Sequence, residues 1–184
     1  MRIVGGRWRG RRLASVGVGD AAAHLRPTTD RVRESIFNLL AHGAHGMALE
    51  GARVLDAFAG TGALGLEALS RGAAEATFVE NGRKALAILR ENVALLEAPA
   101  RIVARDARRP GPGTAHDVVF LDPPYGRSLG APALEALARE GWIAPGALAV
   151  WEEGETPRAP EGWTLLDARR WGDTAVALLR RDAS

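Results

Sequence analysis

From residue 53 onward the chain alternates between short strand-like runs and longer helix-like stretches, and no other feature of its 184 residues narrows the fold as much. "RVLDAFA", "EATFVE", "ARIVARD", "HDVVFLD" and "GALAVWEE" read as strands. "GALGLEALSRG", "RKALAILRENVALLE" and "APALEALAREGW" read as the helices between them, and "RRPGPGTA" as a loop. Strands that alternate with helices form a parallel sheet covered on both faces. The last two runs, "WTLLDARRW" and "TAVALLRR", are split only by Gly-Asp, a two-residue hairpin turn, so an antiparallel pair should close one edge. Upstream, "RIVGGRWRGRRLA" suggests two short strands around a glycine-rich turn, with Trp8 near its tip. "RPTTDRVRESIFNLLAHG" then predicts a helix capped by Thr28 or Thr29 and ended by Gly43. Its apolar face carries Val32, Ile36, Phe37, Leu39 and Leu40. This divides the chain into a basic N-terminal hairpin and helix, residues 1–45, and an α/β domain, residues 46–184.

"VLDAFAGTGALGLEALSRG" reads as a strand, a turn on Gly60-Thr61-Gly62, and a helix. In an open α/β sheet, ligands bind outside the carboxyl ends of the strands, so this turn faces the ligand. A lone G-x-G is weak evidence, but here Asp56 closes the preceding strand. A pyrophosphate loop would avoid a carboxylate there, whereas a ligand with an ammonium group would welcome one. Glu80 ends the second strand, where an acid accepts hydrogen bonds from ribose hydroxyls. Asp106 follows the third. It serves either as an acceptor for an amine such as adenine N6 or as a cap of its own turn. Three carboxylates at three strand ends suit a ligand with cationic and hydroxyl groups and no phosphate, which is the profile of S-adenosylmethionine. A parallel sheet closed by a hairpin is likewise the doubly wound, Rossmann-like methyltransferase variant rather than the plain dinucleotide fold.

The fourth strand runs straight into "DPPYG", residues 122–126. Pro123 fixes its own φ and Pro124 restricts Pro123, so the loop is stiff. A planar amine can then donate one N–H to the Asp122 carboxylate and one to the Pro123 carbonyl while Tyr125 stacks on its ring. Two acceptors would orient a delocalised, weakly nucleophilic nitrogen and stabilise the charge it gains on attack. Asp122, Pro123, Pro124 and Tyr125 are therefore the candidate catalytic residues, with Asp122 mainly positioning and electrostatic.

The net charge of +2 hides an asymmetry. Residues 1–33 hold eight arginines against Asp20 and Asp30, and the rest of the chain is mildly acidic. Arginine forms bidentate bonds to phosphate and stacks on bases, so this cluster points to nucleic acid. Trp8 belongs to that surface or simply packs on the domain. The chain has no cysteine, which excludes a disulfide framework and thiolate metal sites. His24, His42, His45 and His116 have no metal-ligand spacing, and no metal is expected. Trp142, Trp151, Trp163 and Trp171 are read as packing residues. No run reaches transmembrane length, and the N-terminus lacks the apolar core of a secretory signal. A soluble cytoplasmic setting is expected.

"RIVGGRWRGRRL", "RPTTDRVRESIFNLL", "DAFAGTGALGLEALSRGA" and "DPPY" occur in the order of one family. From residue 2 to the closing hairpin the chain resembles the RsmD family, bacterial 16S ribosomal RNA guanine-N2 methyltransferases. The resemblance implies a class I S-adenosylmethionine-dependent fold and methyl transfer to N2 of one guanine in the small ribosomal subunit; a monomer is expected. It implies that Asp56, Phe58, Gly60, Thr61, Gly62, Glu80, Asn81, Asp106, Ala107 and Asp122 line the cofactor. Arg7, Trp8, Arg9, Arg11 and Arg12 would grip RNA. Arg26, Thr28 and Arg31 would lie near the cofactor's methionine end or the RNA path. The rival readings are an adenine-N6 DNA methyltransferase, a glutamine-N5 protein methyltransferase and a non-catalytic RNA-binding assembly factor.

Overall fold

The computed structural model describes residues 1–15 and 29–183. Seven strands form one sheet: β1 (Arg53–Ala57), β2 (Glu75–Glu80), β3 (Ala100–Ala104), β4 (His116–Leu121), β5 (Ile143–Glu153), β6 (Trp163–Trp171) and β7 (Thr174–Arg181). Their spatial order is β3-β2-β1-β4-β5-β7-β6. The first five pair in parallel, while β7 runs antiparallel to both β5 and β6. The expected closing hairpin is present, turning at Gly172, whose φ of 61° lies in the left-handed region that glycine enters freely.

The central strands are nearly continuous apolar runs because both their faces are covered, and alternation sends successive residues to opposite sides. Val54, Phe78, Val118 and Phe120 join one core with the apolar faces of α1 (Asp30–His42), α2 (Ala63–Ser70) and α3 (Arg83–Leu95). Leu55, Val79, Val119 and Leu121 join the other, beneath α4 (Gly130–Arg139). Trp142, Trp151 and Trp163 pack in this second core, and Trp171 is half-buried against the first. Among the described residues no helix is long and apolar enough to cross a membrane.

Thr29 caps α1, its hydroxyl accepting from the Val32 amide at 3.2 Å, and the Gly43 amide closes the helix on the Leu39 carbonyl at 2.8 Å. Thr28 and Arg26 lie outside the described residues. The helix face differs from the expected one at Arg33, which is wholly buried beside Ile36 and Phe37.

The expected N-terminal hairpin is present but short. An antiparallel bridge pairs Arg2 with Arg12, and the Ile3, Gly10 and Leu13 amides donate across to the Arg11, Ile3 and Met1 carbonyls at 3.0, 2.9 and 3.2 Å, around a 3₁₀ turn at Gly6–Trp8. It extends no further because the amides between the two arms are taken by α2. Val4 and Gly5 both donate to the Glu67 carboxylate at 2.8 Å, and Trp8 donates to Ser70 Oγ at 2.9 Å. Gly6 sits so close to the Ser70 carbonyl that any side chain there would collide with it. Ile3 and Leu13 drop into the same core as α1 and α2, so the segment lies against the α/β sheet.

Candidate active site

The sheet registers bring the acids to one edge. Ala57 pairs with Val79 on one side and Leu121 on the other. The residues that follow, Phe58, Glu80 and Asp122, therefore emerge side by side at the carboxyl ends of three adjacent strands. Glu80 pairs with Ala104, which sets the Asp106 turn beside it.

Glu80 closes the glycine loop. Its Oε2 accepts from the Gly60 amide at 2.8 Å, and its Oε1 accepts from Asn81 and Gly82 at 2.8 and 2.6 Å. The Gly62 amide goes to the Ala59 carbonyl at 2.7 Å, and the Ala59 amide to the Val79 carbonyl at 3.1 Å. In a phosphate-binding turn such N–H groups point at the anion. Here they are used within the protein, so the loop is suited to a ligand that brings donors. Gly62 needs its φ of 82° to turn into α2. Phe58 also has a positive φ, 62°, which costs a residue with a side chain about 1–2 kcal/mol. Its ring packs on the same core that buries Ala107. Thr61 is buried, and its carbonyl accepts from Asn92 Nδ2 at 2.9 Å.

Asp56 is the penultimate residue of β1 and only 1% exposed. Its Oδ2 accepts from the Gly65 amide at 2.8 Å, which ties β1 to the first turn of α2. Burial pushes this carboxyl up to about 8; the Gly65 hydrogen bond counters part of the shift and the Glu80 charge adds to it. Asp106 behaves in the opposite way. Hydrogen bonds from the Arg108 guanidinium, at 2.6 and 3.0 Å, hold its carboxyl below the usual range. The Arg108 amide also donates to Oδ1 at 2.9 Å, so Asp106 caps its own turn. A carboxylate offers about four lone-pair sites. Among the described residues, Glu80 and Asp106 each accept three hydrogen bonds, with a single one on Oε2 and on Oδ2 respectively.

Asp122 is half-buried, Pro123 buried, and Pro124 and Tyr125 half-buried. The loop is moored to the far end of β5. The Tyr125 hydroxyl donates to Glu152 Oε1 at 2.7 Å and lies 3.3 Å from Thr174 Oγ1. The Gly126 and Gly154 amides both donate to Glu153 Oε1, at 3.3 and 3.2 Å. Burial, with the Glu152 charge adding to it, raises the Tyr125 phenol above its ordinary value, so the hydroxyl remains a donor. Sequence reasoning does not single out Glu152, Glu153 or Thr174. The signal was nonetheless present, because "AVWEE" is another apolar strand ending in acids.

Arg7, Arg9, Arg11, Arg12 and Arg31 are exposed. Trp8 is half-buried against the core, with the Arg7 guanidinium 4.2 Å from its ring centre. A 410 Å³ groove between the N-terminal turn and α1 is lined by Arg2, Arg9, Arg31, Asp30 and Glu34, among others. Arg33 is not part of this surface. It is buried between Asp30, at 2.9 Å, and Glu67, at 3.5 Å. Among the described residues, no group of three or more His, Asp or Glu could hold a metal ion.

Residues 1–180 match the family described as conserved hypothetical protein 95. The ribosomal RNA small subunit methyltransferase D of Escherichia coli K12 is 44% identical, aligned over all of this chain and 91% of its own length. The protein of the same name from Haemophilus influenzae is 37% identical over 97% of this chain and 92% of its own. The solved structure of the Escherichia coli methyltransferase yhhF superposes with a TM-score of 0.84 at 43% identity, covering 100% of this chain and 99% of that one.

Proposed function

The chain belongs to the family of ribosomal RNA small subunit methyltransferase D, and from that premise we propose that it methylates the exocyclic N2 of one guanine in 16S ribosomal RNA, using S-adenosylmethionine. One observation carries the reading. At a single sheet edge, a glycine loop whose amides are answered internally lies beside a stiff Asp-Pro-Pro-Tyr loop.

When bound, S-adenosylmethionine supplies an electrophilic methyl group. The acceptor-rich edge fits it: Glu80 Oε2 retains a site for a ribose hydroxyl, and Asp106 Oδ2 retains one for the adenine amine. Asp56 places a carboxyl beneath the loop, and Phe58, Asn81 and Ala107 flank it. The target guanine is unpaired and stacks on Tyr125. Its amine donates to the Asp122 carboxylate and the Pro123 carbonyl. Among the described residues no hydrogen bond reaches that carbonyl, so it is available. The two acceptors hold the nitrogen on line and stabilise the positive charge that develops on it. The methylated amine then loses its proton to water. Residues 1–45 extend the catalytic unit toward the RNA, with backbone phosphates along Arg7, Arg9, Arg11, Arg12 and Arg31. The enzyme works as a monomer in the cytoplasm, on the small subunit.

Labelled methyl transfer to small subunits, naked 16S RNA and DNA, all from a strain lacking this gene, tests the reading. Label at a guanine N2 in subunits or RNA is expected. Label on DNA adenine would replace this reading with a DNA enzyme, and no label on any nucleic acid would end it. The RNA surface has its own check. Replacing Arg7, Arg9, Arg11 and Arg12 with Gln should reduce the slope of log affinity against log salt by about 3. An unchanged slope would remove those arginines from the interface.

A further inference from the structure

One buried carboxylate at the active-site edge is not used by the reaction just described. Glu152 is 3% exposed and sits in β5, paired opposite Val176 of β7. It lies one residue beyond the last β4–β5 pair, Leu121 with Trp151, so the strand that carries it is held by β4 up to that point and by β7 alongside. Tyr125, the single tyrosine of the chain, sits on a loop. The χ2 torsion of a tyrosine is soft, and a loop ring held only by packing would sample many tilts. This ring is held at both ends. Its hydroxyl donates to Glu152 at 2.7 Å, with Thr174 Oγ1 at 3.3 Å. Its edge lies against Gly154, where an added Cβ would stand 3.4 Å from Cδ2.

We propose that Glu152 is the positioning residue for Tyr125: it fixes the plane of the ring on which the target base stacks, and so sets the approach of the amine to Asp122 and Pro123. This rests on the methyl-transfer reading of the Asp122–Tyr125 loop. Glu152 touches neither base nor cofactor and acts through the phenol. Displacement of a reacting group by an ångström costs about 100-fold in rate, so a ring free to tilt is felt in turnover.

The test compares Glu152→Leu, Glu152→Gln and Tyr125→Phe with the parent enzyme. It reads kcat and KM on small subunits, cofactor affinity by calorimetry, and the fluorine NMR spectrum of protein labelled with fluorotyrosine, which reports Tyr125 alone. Glu152→Leu should lower kcat about 100-fold and leave cofactor affinity unchanged. Its fluorine line should broaden or split, whereas the parent gives one narrow line. Glu152→Gln keeps an acceptor for the phenol and should recover kcat to within about fivefold, with a narrow line. Tyr125→Phe keeps the ring and removes its anchor, and needs no folding of the Leu variant. It should lose about tenfold in kcat. Parental turnover in Glu152→Leu or Tyr125→Phe, or parallel loss of cofactor affinity and turnover in Glu152→Leu, overturns the proposal. A fluorine line indifferent to residue 152 overturns it even if the enzyme methylates no RNA. A line that responds while no RNA is methylated overturns the methyl-transfer reading alone.

Discussion

At the carboxyl edge of the sheet, Glu80 is half-buried and answers three amides from its own neighbourhood, those of Gly60, Asn81 and Gly82. Behind α2, Glu67 is fully buried and answers amides 62 and 63 residues away, at Gly5 and Val4, together with the guanidinia of Arg33 and Arg71. Both are glutamates organising backbone, but with different consequences. The edge carboxylate shapes a short loop at the rim of the proposed site. The buried one ties a distant segment to the core, out of reach of any ligand. Function should therefore concentrate at the edge and stability in the clamp, and substitutions can separate the two.

The clamp should give the largest effect. Glu67→Ala takes the acceptor from two amides and removes one of the two carboxylates beside the buried Arg33, and removing one partner of a buried ion pair costs about 3–5 kcal/mol. Urea unfolding should show that loss; a change below about 1 kcal/mol would mean the clamp is no more than an ordinary contact. Asp122→Ala should do the reverse. Turnover should fall about 100–1000-fold, the range for removing one preorganised electrostatic group, while the unfolding midpoint and cofactor affinity stay near the parent values. Unchanged turnover would take Asp122 out of the mechanism.

Asn92 lies between the two regions. It is fully buried in α3, accepts from the Ala14 amide at 2.7 Å and donates to the Ala14 and Thr61 carbonyls at 3.1 and 2.9 Å. One side chain thus joins the end of the N-terminal segment to the glycine loop. Asn92→Ala should cost about 1–3 kcal/mol of stability, the penalty for unpaired buried groups, and also weaken cofactor binding. Loss of stability with intact cofactor affinity would assign Asn92 to the clamp alone.

The same contrast explains what was legible beforehand. The edge could be read because its rules are local: an apolar strand, a register shared by its neighbours, and an acid one residue beyond. Glu80 and Asp122 followed from that, and the Asx turn of Asp106 was the alternative the sequence itself offered. The clamp could not be read. Nothing in "LGLEALS" says that Glu67 will take the amides of Val4 and Gly5, so the hairpin was legible but its mooring to α2 was not. Arg33 looked like one more surface cation for the same reason. Glu152 carries a local signal of the same kind, since "AVWEE" is an apolar strand that ends in acids.

Asp56 tests whether the division between edge and clamp is strict. It lies at the functional edge but is buried like a clamp residue, with its carboxyl raised from 3.8 to about 8. The unfolded chain releases this proton near pH 4 and the folded chain holds it to about 8. Between those values the unfolded state binds fewer protons, so this residue makes stability fall as pH rises, and its contribution is flat above both. Asp56→Asn keeps an acceptor for the Gly65 amide and has no proton to release. Unfolding midpoints measured from about pH 5 to 8 should therefore decline in the parent relative to the variant, then run parallel. A ligand ammonium near this carboxyl favours its ionised form, so S-adenosylmethionine affinity in the parent should climb with pH, by at most about tenfold per unit, and level off near 8. In Asp56→Asn that climb should vanish. If stability shows the decline but affinity does not climb, Asp56 belongs with Glu67 as a structural carboxyl, and the functional edge begins at Glu80.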